Sequence, residues 1–228
     1  MLIPTGQRRS GAWIDDILKE TVEEKGISRY SLAGQFPRQR MEVIRAGDLF
    51  AAVNELFYRR GWTDGLPIVP PTAGKVREML RYIDRRPSEV LGVLEPLQGM
   101  ASVEKLAINA VMAGCRPEYF PVVIAAVTAL LEPEFNLIGV QTTDENVAPL
   151  LIINGPIARR LDINCSFGAL GPGWQANASI GRAIRLIMNN IGGGWPWAVS
   201  LAGIGQPGRY TLCLAENESA NPWEPLHV

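Results

Sequence analysis

The sequence predicts a mixed α/β fold, an α-helical N-terminal region followed by a mixed α/β core. Three observations lead there. Apolar residues recur at helical spacing in several segments that carry their own capping residues. Short apolar runs bounded by Gly, Pro and Asn lie between them, as strands do. The composition, 47% hydrophobic and 20% charged over 228 residues, belongs to a chain able to bury a real core.

Residues 1–45 are the most charged part, with Gln7-Arg8-Arg9 and Pro37-Arg38-Gln39-Arg40 flanking a helical pattern of Trp13, Ile14, Ile17, Leu18 and Val22. They read as a helical arm, either packed on a neighbouring subunit or loosely attached, with residues 46–228 forming a single α/β core domain. Asp48 is placed to cap a helix whose apolar face is Leu49, Phe50, Val53, Leu56 and Phe57, ending before Gly61. In the next segment Asp64-Gly65 favours a turn, and Pro67, Pro70 and Pro71 force an extended backbone. Thr72 then caps a helix reaching Ile83. Asp64 either shapes that turn or lines a pocket.

From Val90 onward the chain reads as a strand at 91–94, helices at 103–113 and 118–131, and buried strands at 137–141 and 150–153. A long helix with Ile180, Ile184, Ile187 and Ile191 in one stripe follows, and then a strand at 210–215. The apolar run 119–131 falls short of the roughly 20 residues a bilayer requires, so it is a buried helix. Residues 186–208 contain no charge but are broken by Gly192-Gly193-Gly194, Pro196 and Pro207, which predicts buried or pocket-lining structure and no membrane span.

Composition also narrows function. Lys+Arg is 22 against 23 Asp+Glu, a formal charge of −1, which gives no electrostatic reason to expect nucleic acid or an anionic membrane. A single histidine, His227, excludes a multi-histidine metal site. Cys115, Cys165 and Cys213 show no CxxC spacing, and the start of the chain has no apolar signal region, so a cytoplasmic protein without disulfides is expected. No cofactor is expected either. Carboxylate, lysine, thiol and backbone N–H groups remain as the available chemistry.

Glu104, Ile108, Val111 and Cys115 fall on one helical stripe, with Lys105 and Asn109 on the next. A carboxylate on an apolar stripe beside a lysine suits an acid/base pair, although Glu104 also fits as a solvated first-turn residue near the helix dipole. Cys115 precedes a helix start and adjoins Arg116, conditions that lower a thiol pKa and make a nucleophile; the alternative is a small buried hydrophobe. Cys213 reads as core and Cys165 as an accessible loop thiol. The loop with Gly171 and Gly173 runs into a helix carrying Asn177, Ser179 and Arg182, and its backbone N–H groups could hold an anionic or carbonyl oxygen. Neither a dinucleotide fingerprint nor a Walker loop is present. Asn154 and Asn164 lie nearby in sequence. Glu216 and Glu218 would emerge at the end of the last strand, either at a site or in a solvated tail stapled by Trp223.

DGLPIVPPT at 64–72, EKLAINAVMAGCRPEYFPVVIAA at 104–126, APLLIINGPIARRL at 148–161, GALGPGWQANASIGRAIRL at 168–186 and AENESANPWEPLHV at 215–228 carry a resemblance. Over about residues 47–228 the chain resembles a bacterial family of unassigned function whose members look like companions of, or fusions with, the selenoproteins named for a Sec-Gly-Ser-Cys (UGSC) motif. The resemblance implies a soluble bacterial protein linked to thiol or selenol chemistry, which draws attention to Cys115. The chain departs from that pattern at 195–200, where Trp195 and Trp197 replace a more polar stretch, and at Cys165, where a small uncharged residue is expected.

Two functions follow as expectations. The first is a cofactor-independent enzyme of lyase or hydrolase type on a small acid, amide or sulfur-containing substrate. Glu104 and Lys105 would be its acid/base pair, Cys115 a nucleophile, and Asp64, Asn109, Asn154, Asn164, Gly171, Gly173, Asn177, Ser179, Arg182 and Glu216 would bind the substrate. The second is a non-catalytic subunit of a thiol or selenol redox partner. A metal held by Cys115, Glu104 and other acids is a weaker third. A homo-oligomer is expected, because the arm and the apolar surface need covering.

Overall fold

The computed structural model describes residues 47–196 and 198–226. The expected helical arm at 1–45, together with Trp197 and His227, lies outside them. The chain divides into two units, with the boundary between Arg60 and Gly61. In the first unit, helix α1 (Leu49–Arg59) begins as expected, with Asp48 Oδ1 accepting from the Ala51 N–H at 3.0 Å.

The second unit is a mixed α/β structure built on helices. Thr72 Oγ1 caps α2 (Ala73–Leu80) by accepting from Lys75 N, and Ser102 caps α3 (Val103–Ala113) in the same way. Gly114, at φ 86°, terminates α3 in a left-handed turn that only glycine enters without strain. A 3-10 turn, Pro117–Tyr119, leads into α4 (Phe120–Leu130), whose Phe120, Val123 and Val127 are fully buried. No single helix among the described residues is long and apolar enough to cross a membrane.

The helix α7 (Gln175–Asn190) is the axis of this unit, buried on nearly every face, and α3 packs along it. Asn109 of α3 bonds Asn190 and Cys115 bonds Ser179, so the two helices run antiparallel. Ile180, Leu186 and Ile187 of α7 and Leu106 of α3 have essentially no exposed surface. Each such side chain contributes about 1.5–3 kcal/mol through burial.

The sheets are small. β1 (Val90–Leu94) pairs antiparallel with β2 (Gly99–Ser102), a strand the sequence reading does not foresee. β3 (Leu151–Ile153) pairs parallel with β4 (Cys213–Ala215), and α6 (Pro156–Arg160) and α7 form the crossover between them. Gly181 lets α7 approach the chain just before β4: a Cβ there would lie 2.4 Å from Thr211 Oγ1 and 2.7 Å from Leu212 N. The expected strand at 137–141 is instead the short helix α5 (Leu137–Thr142). Asn136 caps it by accepting from Gly139 N, and a short apolar run fits either element by period alone. The strand at 150–153 forms, but Leu150 and Ile152 stay partly exposed rather than buried.

Candidate functional site

The N-terminal half of α7 gathers most of the expected site residues and uses them to build. Asn177 Oδ1 accepts the Asn164 backbone N–H at 2.8 Å, while its Nδ2 donates to the carbonyls of Asn164, Ala169 and Cys213 at 3.0, 3.2 and 3.1 Å. The Asn164 side chain in turn donates to Phe167 O and accepts from Ser166 N. Both asparagines are buried, and their amides tie α7, the loop after Asn164 and β4 together.

Arg182 is likewise engaged within the chain. Its Nε and Nη2 bond Asp64 Oδ2 and Oδ1 at 2.7 and 2.9 Å, and Nη2 also reaches Leu66 O and Pro67 O. Only 15% of the Arg182 side chain and 4% of Asp64 are exposed. The guanidinium expected to hold a substrate thus clamps the proline-rich segment, whose backbone the prolines keep extended.

Cys115 lies beside α7 as well, but as a neutral thiol. Its Sγ donates to Ser179 O at 3.2 Å, while Ser179 Oγ donates to Gln175 O. Arg116 Nε bonds Gln175 Oε1 at 3.0 Å and so faces away into another contact. Burial pushes the Cys115 thiol up to about 12, opposite to the lowering expected from a helix start and an arginine. Cys213, buried in β4, is likewise pushed up to about 12 by burial. The unfolded chain would ionise these thiols near 9.0, whereas the folded chain keeps its protons. Stability contributed by the protonated thiols is therefore present below pH 9 and lost as pH rises toward 12. Urea unfolding across pH 8–11 should show stability falling by up to about 1.4 kcal/mol per pH unit for each thiol. Cys115→Ala should remove one thiol's share of that slope; an unchanged slope would count against a buried thiol.

Glu104 and Lys105 stand at the other end of α3. Nine residues of helix rise separate Glu104 from Ala113 by roughly 14 Å, and Cys115 lies beyond that end, so one stripe does not make one site. Lys105 Nζ donates to Met100 O at 3.1 Å, and no ion pair joins it to Glu104 among the described residues. Asn109, expected to support that pair, is buried. It donates to Lys105 O and accepts from Asn190 Nδ2 at 2.7 Å, and the same Nδ2 also reaches Trp62 O.

Beyond the carboxyl ends of β3 and β4, Asn154 Nδ2 bonds Glu216 Oε2, bringing together two residues expected at a site. Glu216 also accepts from Asn221 Nδ2 and Leu226 N, and Glu218 Oε1 accepts from Gly155 N at 2.5 Å. This cluster clasps the tail. Gly171 and Gly173 are exposed, and the Gly171 N–H is taken up by Gly168 O at 2.8 Å. Among the described residues no three His, Cys, Asp or Glu side chains come together to hold a metal ion, so Cys115 and Glu104 do not form one ligand set.

Two features escape the sequence reading. Phe167, Leu170 and Trp174 stand out from the glycine-rich loop, Phe167 with 95% of its surface in solvent. Arg185 of α7 is 7% exposed, because the chain before β4 covers it. Burial, and then the charge of Arg209, lower its pKa to about 10, which still leaves it a cation at neutral pH. It lines a recess of about 10 Å³, room for a water-sized group, with Arg209, Met188 and Leu212 among its walls. Comparison with protein-family models, curated proteins and solved structures found no match.

Proposed function

We propose that this chain is a non-catalytic partner subunit that docks a thiol or selenol redox protein through the glycine-rich loop before α7. The observation that carries the reading is a rigid loop with apolar tips. Phe167 O and Ala169 O are held by the buried side chains of Asn164 and Asn177, while Phe167, Leu170 and Trp174 remain 95%, 63% and 39% exposed. A loop whose backbone is held beforehand loses little entropy on binding, and this favours its exposed apolar side chains as interface anchors. The UGSC resemblance supplies the class of partner. An enzyme of lyase or hydrolase type has weaker support, because its expected acid/base pair and its thiol stand at opposite ends of α3 and the thiol is protonated at neutral pH.

The test is co-expression with a Sec-Gly-Ser-Cys protein in its cysteine form, with the complex read by size exclusion with light scattering and its affinity by interferometry. A stable complex is expected, weakened about 100-fold by the double substitution Phe167→Ala/Leu170→Ala with the circular dichroism unchanged. No complex, or one indifferent to that substitution, overturns the reading. So does a dimer of the isolated chain that the same substitution dissolves, since a second copy would then occupy the loop.

A further inference from the structure

The recess between α7 and the segment before β4 holds two cations and no compensating acid. Arg185 Nε donates to Arg209 O at 2.8 Å, which uses one edge of its guanidinium, and among the described residues the Nη groups meet no protein acceptor. Arg209 Nη2 donates to Ser200 Oγ at 2.8 Å, and Ser200 is itself buried. Among the described residues neither arginine meets a carboxylate. A buried guanidinium is ordinarily paired with an anion, because removing its charge from water is costly. Here the neighbouring charge is a second cation, which deepens the demand for a negative group.

We infer that Arg185 and Arg209 form a binding site for the carboxylate of a small organic acid with a short apolar chain. The geometry selects that class in two ways. A guanidinium presents planar paired donors that match a carboxylate's two oxygens. The remaining walls, Leu151, Met188 and Leu212, are apolar, so the chain attached to the carboxylate meets hydrocarbon. The recess itself has room for about one water-sized group and opens to solvent, so the carboxylate would meet the guanidinium at its mouth with the attached chain lying over the apolar wall. Gly181 brings α7 close to Thr211 and Leu212, and this fixes the width of the recess. The site is separate from the loop proposed to dock a partner and does not depend on it.

The experiment is a titration of the full chain with sodium butyrate, butyramide, sodium chloride and sodium phosphate, the salts at matched ionic strength, followed by backbone amide shifts. Butyrate should saturate, while butyramide, which has the same chain and no charge, and chloride should not. Arg185→Gln should weaken butyrate at least about tenfold and Arg185→Lys less, because the lysine keeps the charge and loses the fork. Should Arg185→Gln fail to fold, Arg209→Gln supplies the readout, since the backbone carbonyl that anchors Arg185 is retained; a several-fold loss is expected. Equal responses to butyrate and butyramide, or a butyrate response that survives both glutamine variants, would overturn the site. Phosphate binding more tightly than butyrate would overturn the assignment to carboxylates.

Discussion

Replacing Asn177 with alanine should lower the stability of the second unit by about 3–5 kcal/mol, read as a drop in the urea midpoint at unchanged slope. One side chain serves four backbone groups from three parts of the chain: Asn164 N–H and O, Ala169 O and Cys213 O. Truncation strands Asn164 N–H, Ala169 O and Cys213 O, where each unmade bond costs its desolvation, while Asn164 O keeps the Ala215 N–H. Asn177→Asp sharpens the test. The aspartate keeps the acceptor for Asn164 N–H but sets a carboxylate against three carbonyl oxygens, so it should be at least as damaging as alanine at neutral pH. An alanine variant within about 0.5 kcal/mol of wild type would show that the amide is not a structural hub.

The second large effect belongs to the Asp64–Arg182 pair. Asp64→Ala should cost about 3 kcal/mol, because it leaves a guanidinium that is only 15% exposed facing two carbonyls and no carboxylate. Arg182→Met should cost a similar amount by leaving Asp64, 4% exposed, without its cation. The double variant should lose less than the sum, and a double-mutant cycle measures that coupling. The exposed pair Glu55–Arg59 on α1 is the internal contrast. Its side chains are 57% and 75% exposed at i,i+4 spacing, so Glu55→Ala should change stability by less than about 0.5 kcal/mol. Equal effects at the two pairs would contradict the burial on which the clamp depends.

Local features of the fold were legible in the sequence. Asp48 and Thr72 announce helix starts because capping depends on a side chain and a backbone N–H three residues on. The mixed α/β class follows from the alternation of such helices with short apolar runs. The run at 137–141 was misread because a segment that short satisfies both periods, and only its cap at Asn136 separates them. The partners of polar residues were not legible. That Arg182 meets Asp64, that Asn177 meets Asn164 and Cys213, and that Cys115 turns to Ser179 are matters of long-range packing. Each residue type fits a substrate pocket as well as a scaffold until its neighbour is known. Arg185 was hidden for the same reason, since a helix wheel cannot say which side a distant strand will cover.

The parallel pairing of β3 with β4 bears on how the chain acquires its structure. The two strands are separated by α6 and α7, and the hub at Asn177 reaches Cys213 as well as the loop at Asn164. Closing these contacts requires a long loop to be ordered before any bond is gained, which makes this step slow relative to helix formation. During synthesis, α3, α4 and α7 can form and collapse, but the apolar flank awaiting β4 stays uncovered until residue 215 has left the ribosome. Until then that flank is exposed apolar surface, on which association with other chains begins most readily.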